Sequence, residues 1–114
     1  MVRNFEELII WKDARSLANQ IHFSFLEIRD YSFRDQINRA AVSVMNNIAE
    51  GFERFGNPEF KRFLQIAKAS CSEVRSMIYL ALDFNYIPGE KANELFNLCI
   101  KIKTAIINLI KTLN

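Results

Sequence analysis

The sequence contains few residues that interrupt regular structure, with only three Gly and two Pro among 114 residues. Since these two residue types are the strongest breakers of helices and strands, their scarcity predicts long and uninterrupted elements. Long apolar runs are also missing: the longest, such as residues 77–82, has about six residues, whereas a membrane-spanning helix needs roughly 20. The N-terminal MVRNFEEL has no apolar core following a basic start, unlike a signal peptide. The sequence therefore predicts a cytoplasmic protein without a membrane-spanning segment.

The residue types that bind metals or act as nucleophiles are equally scarce. His22 is the only histidine and Asn19 stands three residues before it, so the Glu-x-x-His pairs of di-iron bundles cannot form. Cys71 and Cys99 lie on apolar stripes without a second Cys or His at ligand spacing, which favours buried free thiols in a reducing compartment over a disulfide or a metal site. The chain has neither a Gly-rich phosphate loop nor a Gly-x-Ser-x-Gly motif. No enzymatic activity, cofactor, metal or small-molecule substrate is therefore expected.

A strong excess of charge is also absent, because 15 Lys and Arg stand against 13 Asp and Glu and give a net charge of +2. Nucleic-acid-binding domains are usually more basic than this. Half of the residues are hydrophobic and ten are Phe. A chain of this length buries a sizeable core, so residues 1–114 are predicted to form one domain.

Apolar residues at alternating spacings of three and four predict amphipathic helices at residues 8–28, 33–54, 58–84 and 90–113. Ser32 is the expected N-cap of the second helix, with Asp35 three residues further on. Gly56 supplies the left-handed residue that ends this helix, and Pro58 suits the first turn of the third. Because short connections make neighbouring helices antiparallel, the predicted fold is all-α, an up-down-up-down four-helix bundle.

The second helix carries two stripes. Its apolar seam consists of Ile37, Ala41, Val44, Ile48 and Phe55, with Gly51 in the same series. A Gly inside a helix costs about 1 kcal/mol relative to Ala, so Gly51 is expected to permit the close approach of a partner helix.

Polar residues form the second stripe and extend to the third helix. Our interpretation is a polar network between helices or between subunits, in preference to an acid–base cluster. Its members are Gln36, Arg39, Ser43, Asn47, Glu50, Arg54, Arg62 and Glu73.

Cations follow the outward rows of the last two helices. Residues 95–114 contain three Lys and no acid. Such rows are candidates for phosphate contacts, although a charged row is more often a solvated helix face. The candidate nucleic-acid residues are Lys61, Lys68, Arg75, Lys101, Lys103 and Lys111.

The four seams do not account for every apolar residue. A bundle of two layers would leave the remaining ones exposed to water, and contiguous patches of that kind usually mark an interface. Self-association is therefore expected. The residues outside the seams are Ile66, Leu80, Leu98, Ile100, Ile107 and Ile110.

Several segments resemble a known family over nearly the whole chain. They include FEEL at 5–8, QINRAAVS at 36–43, NIAEG at 47–51 and IAKAS at 66–70, and Trp11, Lys12, Arg54, Glu73 and the segments 79–81 and 86–87 add to them. The chain is similar to the bacterial four-helix-bundle family, also called the 23S rRNA-intervening-sequence protein family. Met45 stands where many relatives have Pro, so a kink in the second helix is in doubt. Ala69 replaces a frequent Gly, which puts the closest helix approach at that level in doubt.

The resemblance implies a bundle that assembles into a homopentameric ring and has no active site. Members are encoded in insertions within 23S rRNA genes or act as accessory proteins of retroelements that diversify genes. The latter form basic pentamers that bind a reverse transcriptase and nucleic acid. Two functions remain open: a platform that binds RNA or DNA, or a protein-binding scaffold or reverse-transcriptase subunit without direct nucleic-acid contact.

Overall fold

The structure, a computed structural model, describes residues 1–113. Four helices follow one another: α1 at Ile9–Ser24, α2 at Tyr31–Glu53, α3 at Asn57–Asp83 and α4 at Gly89–Thr112. A 3₁₀ turn at Phe5–Glu7 precedes them, and this part of the chain has no β-strand. The predicted all-α four-helix bundle is thereby confirmed.

Each helix packs against the next one in the chain, and α1 also packs against α4 to close the bundle. The diagonal pairs, α1 with α3 and α2 with α4, do not approach each other within the described chain. The molecule is accordingly an elongated rod with principal extents of 43 × 21 × 20 Å. None of the helices described is long and apolar enough to cross a membrane.

The core lies along the bundle axis and receives side chains from all four helices. The predicted seams supply it, since most periodic apolar positions of each helix have little or no accessible surface. Burying each such side chain contributes roughly 1.5–3 kcal/mol. Fully buried large residues include Leu17, Ile21 and Phe25, then Ile37, Val44 and Ile48, then Leu64, Val74 and Ile78, and finally Leu95, Ile102 and Ile106.

Gly51 is buried where α2 meets α3, and a Cβ placed there would lie 2.7 Å from Cβ of Phe63. The expectation that Gly51 permits close approach of another helix is thus confirmed, with α3 as the partner. Gly56 has φ of +90° and leads directly into α3, whose first turn contains Pro58. The predicted position of Pro58 is confirmed, but Gly56 is the N-cap of α3 and not the left-handed cap of α2, whose C-cap is Arg54 with extended backbone angles. Helix α2 runs without interruption through Met45.

Further predictions at helix ends are wrong. Phe55 does not extend the seam of α2: the helix ends at Glu53, Arg54 has extended backbone angles, and Phe55 is fully exposed. Once the helical repeat stops, the spacing of three and four no longer returns a side chain to the core. The first helix ends at Ser24 rather than at residue 28, although Phe25 beyond it is buried.

The N-cap of α2 is Asp30, not Ser32 as predicted. An oxygen of its carboxylate accepts a hydrogen bond from the backbone N–H of Phe33 at 3.2 Å, and the other accepts one from the hydroxyl of Tyr86 at 2.7 Å. Arg34 donates to the backbone carbonyls of Leu26 and Ile28, at 3.1 and 3.4 Å. These contacts link the α1–α2 connection to α2 and to the α3–α4 connection.

Candidate nucleic-acid interface

The outer surface where α3 and α4 meet is the candidate site, and a buried cysteine pair positions it. Cys71 and Cys99 are both in the core, as predicted, and Sγ of Cys71 donates a hydrogen bond to the carbonyl of Cys99 at 3.3 Å. Lys68 and Arg75 stand about one turn before and after Cys71, and Lys103 stands about one turn after Cys99. Three cations from two helices therefore lie above this contact. We call this surface the basic face. It also includes Lys61, which lies about two turns before Lys68 on α3.

Two of these cations affect the pKa of the Cys71 thiol. The interaction with the Cys99 thiol lowers the pKa of the Cys71 thiol, burial opposes this effect, and the charges of Arg75 and Lys103 lower the pKa further. The pKa of Cys99 is raised, mainly by the interaction with the Cys71 thiol and by burial. Arg75 and Lys103 therefore both act on the same buried thiol, although they come from different helices.

Two of the acidic residues on α3 and α4 are bound by cations outside the basic face. On α3, Glu59 binds Arg62 with an N–O distance of 2.8 Å, and on α4, Glu94 binds Lys91 at 3.1 Å on the side of α1. Within residues 1–113, Lys68, Arg75 and Lys103 have no ion-pair partner. The charges of Lys68, Arg75 and Lys103 are therefore not neutralised by an ion pair within the described residues.

The side chains of the basic face are half-buried rather than extended into water. Lys61, Lys68, Arg75 and Lys103 share this intermediate exposure. Long cationic side chains bury their aliphatic stems along apolar surface and keep the charged group in water.

Not every predicted cation belongs to this surface. Nζ of Lys101 lies 3.4 Å from a carboxylate oxygen of Asp13 on α1, so Lys101 faces the opposite side of α4 from Lys103. Lys111 is exposed in the last turn of the same helix. The structure thus places Arg75 and Lys103 near the same buried thiol, Lys68 and Lys61 lie on the same row of α3 as Arg75, and Lys101 lies on another side of α4.

An aromatic pair at one end of the basic face was not predicted as part of a site. The rings of Tyr79 and Phe96 lie 4.7 Å apart between centroids, with a tilt of 40°. Tyr79 follows Arg75 by four residues and is 59% exposed, whereas Phe96 is half-buried. The signal in the sequence was this spacing of four, which continues the row of cations into an aromatic residue.

The predicted polar network exists only in parts. One bond crosses between helices, from Oγ of Ser43 to Oγ of Ser70 at 2.8 Å, and Asn47 donates to Oγ of Ser43 at 2.9 Å. Glu50 and Arg54 form a separate exposed ion pair at 2.8 Å within α2. The four remaining predicted members take no part in these contacts.

Arg62 binds Glu59, which lowers the pKa of that carboxyl through the hydrogen bond, and it does not bind Glu73. Gln36, Arg39 and Glu73 are exposed and make neither a hydrogen bond nor an ion pair inside the described chain. A shallow open groove of about 490 Å³ runs along α2 past Arg39, Ser43 and Asn47. No group of three metal-ligating side chains converges anywhere in residues 1–113.

Comparison with known proteins places this bundle in a family. The family model described as the 23S rRNA-intervening sequence protein matches residues 6–108, and the chain belongs to that family. A similar solved structure is that of a protein of unknown function from the S23 ribosomal protein family of Bacteroides thetaiotaomicron. It is 23% identical, covers 90% of this chain and 99% of its own, and superimposes with a TM-score of 0.83. No curated protein matches the sequence.

Proposed function

We propose that this protein is a non-enzymatic, self-associating helical bundle of the cytoplasm that binds nucleic acid through the basic face. The observation that carries the proposal is that Lys68, Arg75 and Lys103 stand about one turn from the Cys71–Cys99 contact and have no ion-pair partner within residues 1–113. Cationic side chains that neutralise phosphates supply most of the affinity of non-specific nucleic-acid binding.

The geometry of the row supports contact with an extended backbone. Lys61, Lys68 and Arg75 are seven residues apart, which corresponds to about 10 Å along the helix axis. A low net charge does not oppose this function, because three of the balancing acids, Asp13, Glu59 and Glu94, are paired with cations outside the basic face. The local field, rather than the total of +2, is what a phosphate backbone meets.

The test is a binding titration with structured RNA at two salt concentrations. We expect micromolar binding that weakens steeply with salt; three phosphate contacts per chain give a slope of log affinity against log salt of about −2 to −3. Replacing Lys61, Lys68 and Arg75 together by Glu should abolish the binding while the helical content and thermal unfolding stay unchanged. Unaltered binding by this variant would refute the assignment of the site.

A matched control reverses three exposed cations elsewhere on the bundle, so that the net charge changes equally. Suitable positions lie on α1 and in the α1–α2 connection, away from the basic face. They are Lys12, Arg15 and Arg29. If the control loses as much affinity as the basic-face variant, net charge alone governs binding and no defined interface exists.

Exposed apolar side chains on α3 support the self-association in this proposal. Ile66 and Leu80 are 38% and 40% exposed on the side of α3 that faces α2, and Val42 of α2 is 43% exposed. On α4, Ile100 is also exposed, but Leu98, Ile107 and Ile110 are half-buried, so the apolar surface is smaller than the sequence predicted.

The resemblance in sequence makes a ring of five copies the expected assembly. Light scattering should then give about five times the 13.3 kDa of one chain. A monomer at micromolar concentration would contradict the proposed self-association. Assembly without any RNA or DNA binding at low salt would favour the alternative, a protein-binding scaffold or an accessory subunit of a reverse transcriptase.

A further inference from the structure

We propose that the basic face takes single-stranded nucleic acid and that an unpaired base stacks on Tyr79. The inference rests on the proposed nucleic-acid function and adds the class of ligand and a residue that contacts its bases. Its starting point is the aromatic pair formed by Tyr79 of α3 and Phe96 of α4, which ends the row of cations.

The position of Tyr79 is what a stacking platform requires. One side of its ring is supported by Phe96, with 4.7 Å between the ring centroids, and the residue is nevertheless 59% exposed. Support from a half-buried neighbour limits the rotation of the ring, so a base that stacks on its open side loses little additional freedom. An aromatic ring held in this way offers a flat apolar surface to a ligand.

The hydroxyl of Tyr79 does not anchor the ring inside the bundle. It has no hydrogen-bond partner within residues 1–113. The hydroxyl of Tyr86, by contrast, donates to Asp30 at 2.7 Å and joins two connections of the bundle. Tyr79 therefore has no comparable structural role in the described chain.

The cation next to the Tyr79 ring favours a ligand that carries phosphate. Arg75 precedes Tyr79 by one helical turn, and residues i and i+4 of a helix are neighbours about 5–6 Å apart at Cβ. A cation one turn from an exposed aromatic ring matches a nucleotide, whose phosphate and base are held by these two kinds of side chain in proteins that bind single strands. Lys68 and Lys61 continue the same line towards the other end of α3.

Duplex nucleic acid does not fit this surface equally well. Bases in a duplex are stacked on each other, and their faces are not available to a side chain outside the helix. A ring on the convex outer side of a four-helix bundle cannot enter the stack, whereas bases of a single strand or a loop can turn towards it. The aromatic end of the basic face consequently distinguishes single strands from duplexes.

The experiment measures the affinity of fluorescent 12-nucleotide probes by anisotropy at fixed low salt. The probes are a single-stranded RNA, a single-stranded DNA of the same sequence, the corresponding duplexes, and an abasic strand with the same number of phosphates. We expect the wild-type protein to bind the single strands more tightly than the duplexes and than the abasic strand. Tighter binding to the RNA strand assigns RNA as the ligand, tighter binding to the DNA strand assigns DNA, and either result supports a single-stranded ligand.

Substitutions then locate the stacking contact. Tyr79→Ala should weaken binding of the single strands by about 5- to 150-fold, the range for loss of one base–aromatic stack, and leave the salt dependence unchanged. Tyr79→Phe should retain the affinity, because it keeps the ring. Tyr31→Ala is the matched control, since Tyr31 is 58% exposed and lies at the start of α2, away from the basic face.

The two proposals fail in different ways. Equal affinity of wild type and Tyr79→Ala for single strands, or tighter binding of duplexes, would overturn the stacking contact while the phosphate contacts of Lys68 and Arg75 stand. Absence of binding to every probe at low salt would overturn the proposed function itself. The comparison of normal and abasic strands needs no variant, so it decides the question even if Tyr79→Ala is poorly folded.

Discussion

Gly51 is the position where one added carbon atom tests how closely α2 and α3 pack. A Cβ at this site would lie 2.7 Å from Cβ of Phe63, 3.1 Å from Cδ1 of Phe60 and 3.3 Å from the carbonyl oxygen of Phe60. The first and last of these atoms are fixed to the backbone of α3, so rotation of a side chain cannot remove the overlap. Gly51→Ala therefore forces one helix to move away from the other.

The balance of two opposing terms gives the size of the effect. Replacing Gly by Ala inside a helix gains about 1 kcal/mol of intrinsic helix propensity. Overpacking a dense core costs about 1–3 kcal/mol, and contact with backbone-fixed atoms places this site near the upper value. We expect Gly51→Ala to lower the free energy of unfolding by about 2 kcal/mol and Tm by about 8 °C.

Gly89 provides the matched control. It is the first residue of α4, and a Cβ there would have no neighbouring atom within 4 Å. Gly89→Ala should stabilise the protein by about 0.4–1 kcal/mol, because it restricts only the unfolded chain. Urea unfolding monitored by circular dichroism measures both variants, at two protein concentrations because self-association raises the apparent stability. If Gly51→Ala were as stable as the wild type, the close helix contact would be wrong.

Other substitutions test the ends of the helices. Asp30→Ala should lower the free energy of unfolding by about 1–2 kcal/mol, since it removes the N-cap of α2, and it also removes the acceptor for Tyr86; urea unfolding would show no change if Ser32 were the cap. The pKa of Tyr86 is raised, first by its hydrogen bond to Asp30 and then by burial, so this contribution to stability persists below the ordinary value of 10.0 and is lost as pH rises through the folded pKa. Tyr86→Phe should flatten the fall in Tm above pH 10, whereas an unchanged profile would contradict the bond. Phe55→Ser should change stability by less than about 0.5 kcal/mol, while Ile48→Ala should cost about 2–5 kcal/mol, and a thermal unfolding series that ranked them equally would place Phe55 in the core.

The interior of the bundle was predictable because one physical rule controls it. Ile37, Val44 and Ile48 recur with the helical period, and a position that returns to the same side of a helix has only the core to face. Gly56 was predictable for a similar reason, since its φ of +90° is a conformation in which a side chain is strained. The sequence pattern is therefore sufficient to predict buried positions wherever the helix continues.

The ends of the helices were less predictable because tertiary contacts decide them. Asp30 interrupts the apolar pattern, but its role depends on Tyr86, which is far away in the sequence. Ser32 and Asp35 have the spacing of a capping box, but the N-cap is Asp30, which has two hydrogen-bond partners. Phe55 fitted the period of α2, yet the period has no meaning beyond the last helical residue.

The candidate site shows what periodicity leaves undetermined. It aligns Lys68 with Arg75 on one helix, but it does not say how α4 is rotated relative to α3. Lys101 and Lys103 are two residues apart and therefore about 200° apart around the axis, so both cannot face α3. The contact of Cys71 with Cys99 fixes the rotation that brings Lys103 to the basic face and directs Lys101 to Asp13.

The proposed self-association and the proposed nucleic-acid binding would use different sides of α3, so the two properties are compatible in one molecule. Ser70 bonds to Ser43 of α2, and Ile66, one turn earlier, lies on that same edge. Lys68 follows Ile66 by two residues and is directed about 200° away around the helix axis. A second copy seated on Ile66 would therefore leave the basic face open to phosphates. Binding of nucleic acid should then leave the number of protein copies in the assembly unchanged, whereas loss of copies on binding would mean that both partners compete for one surface.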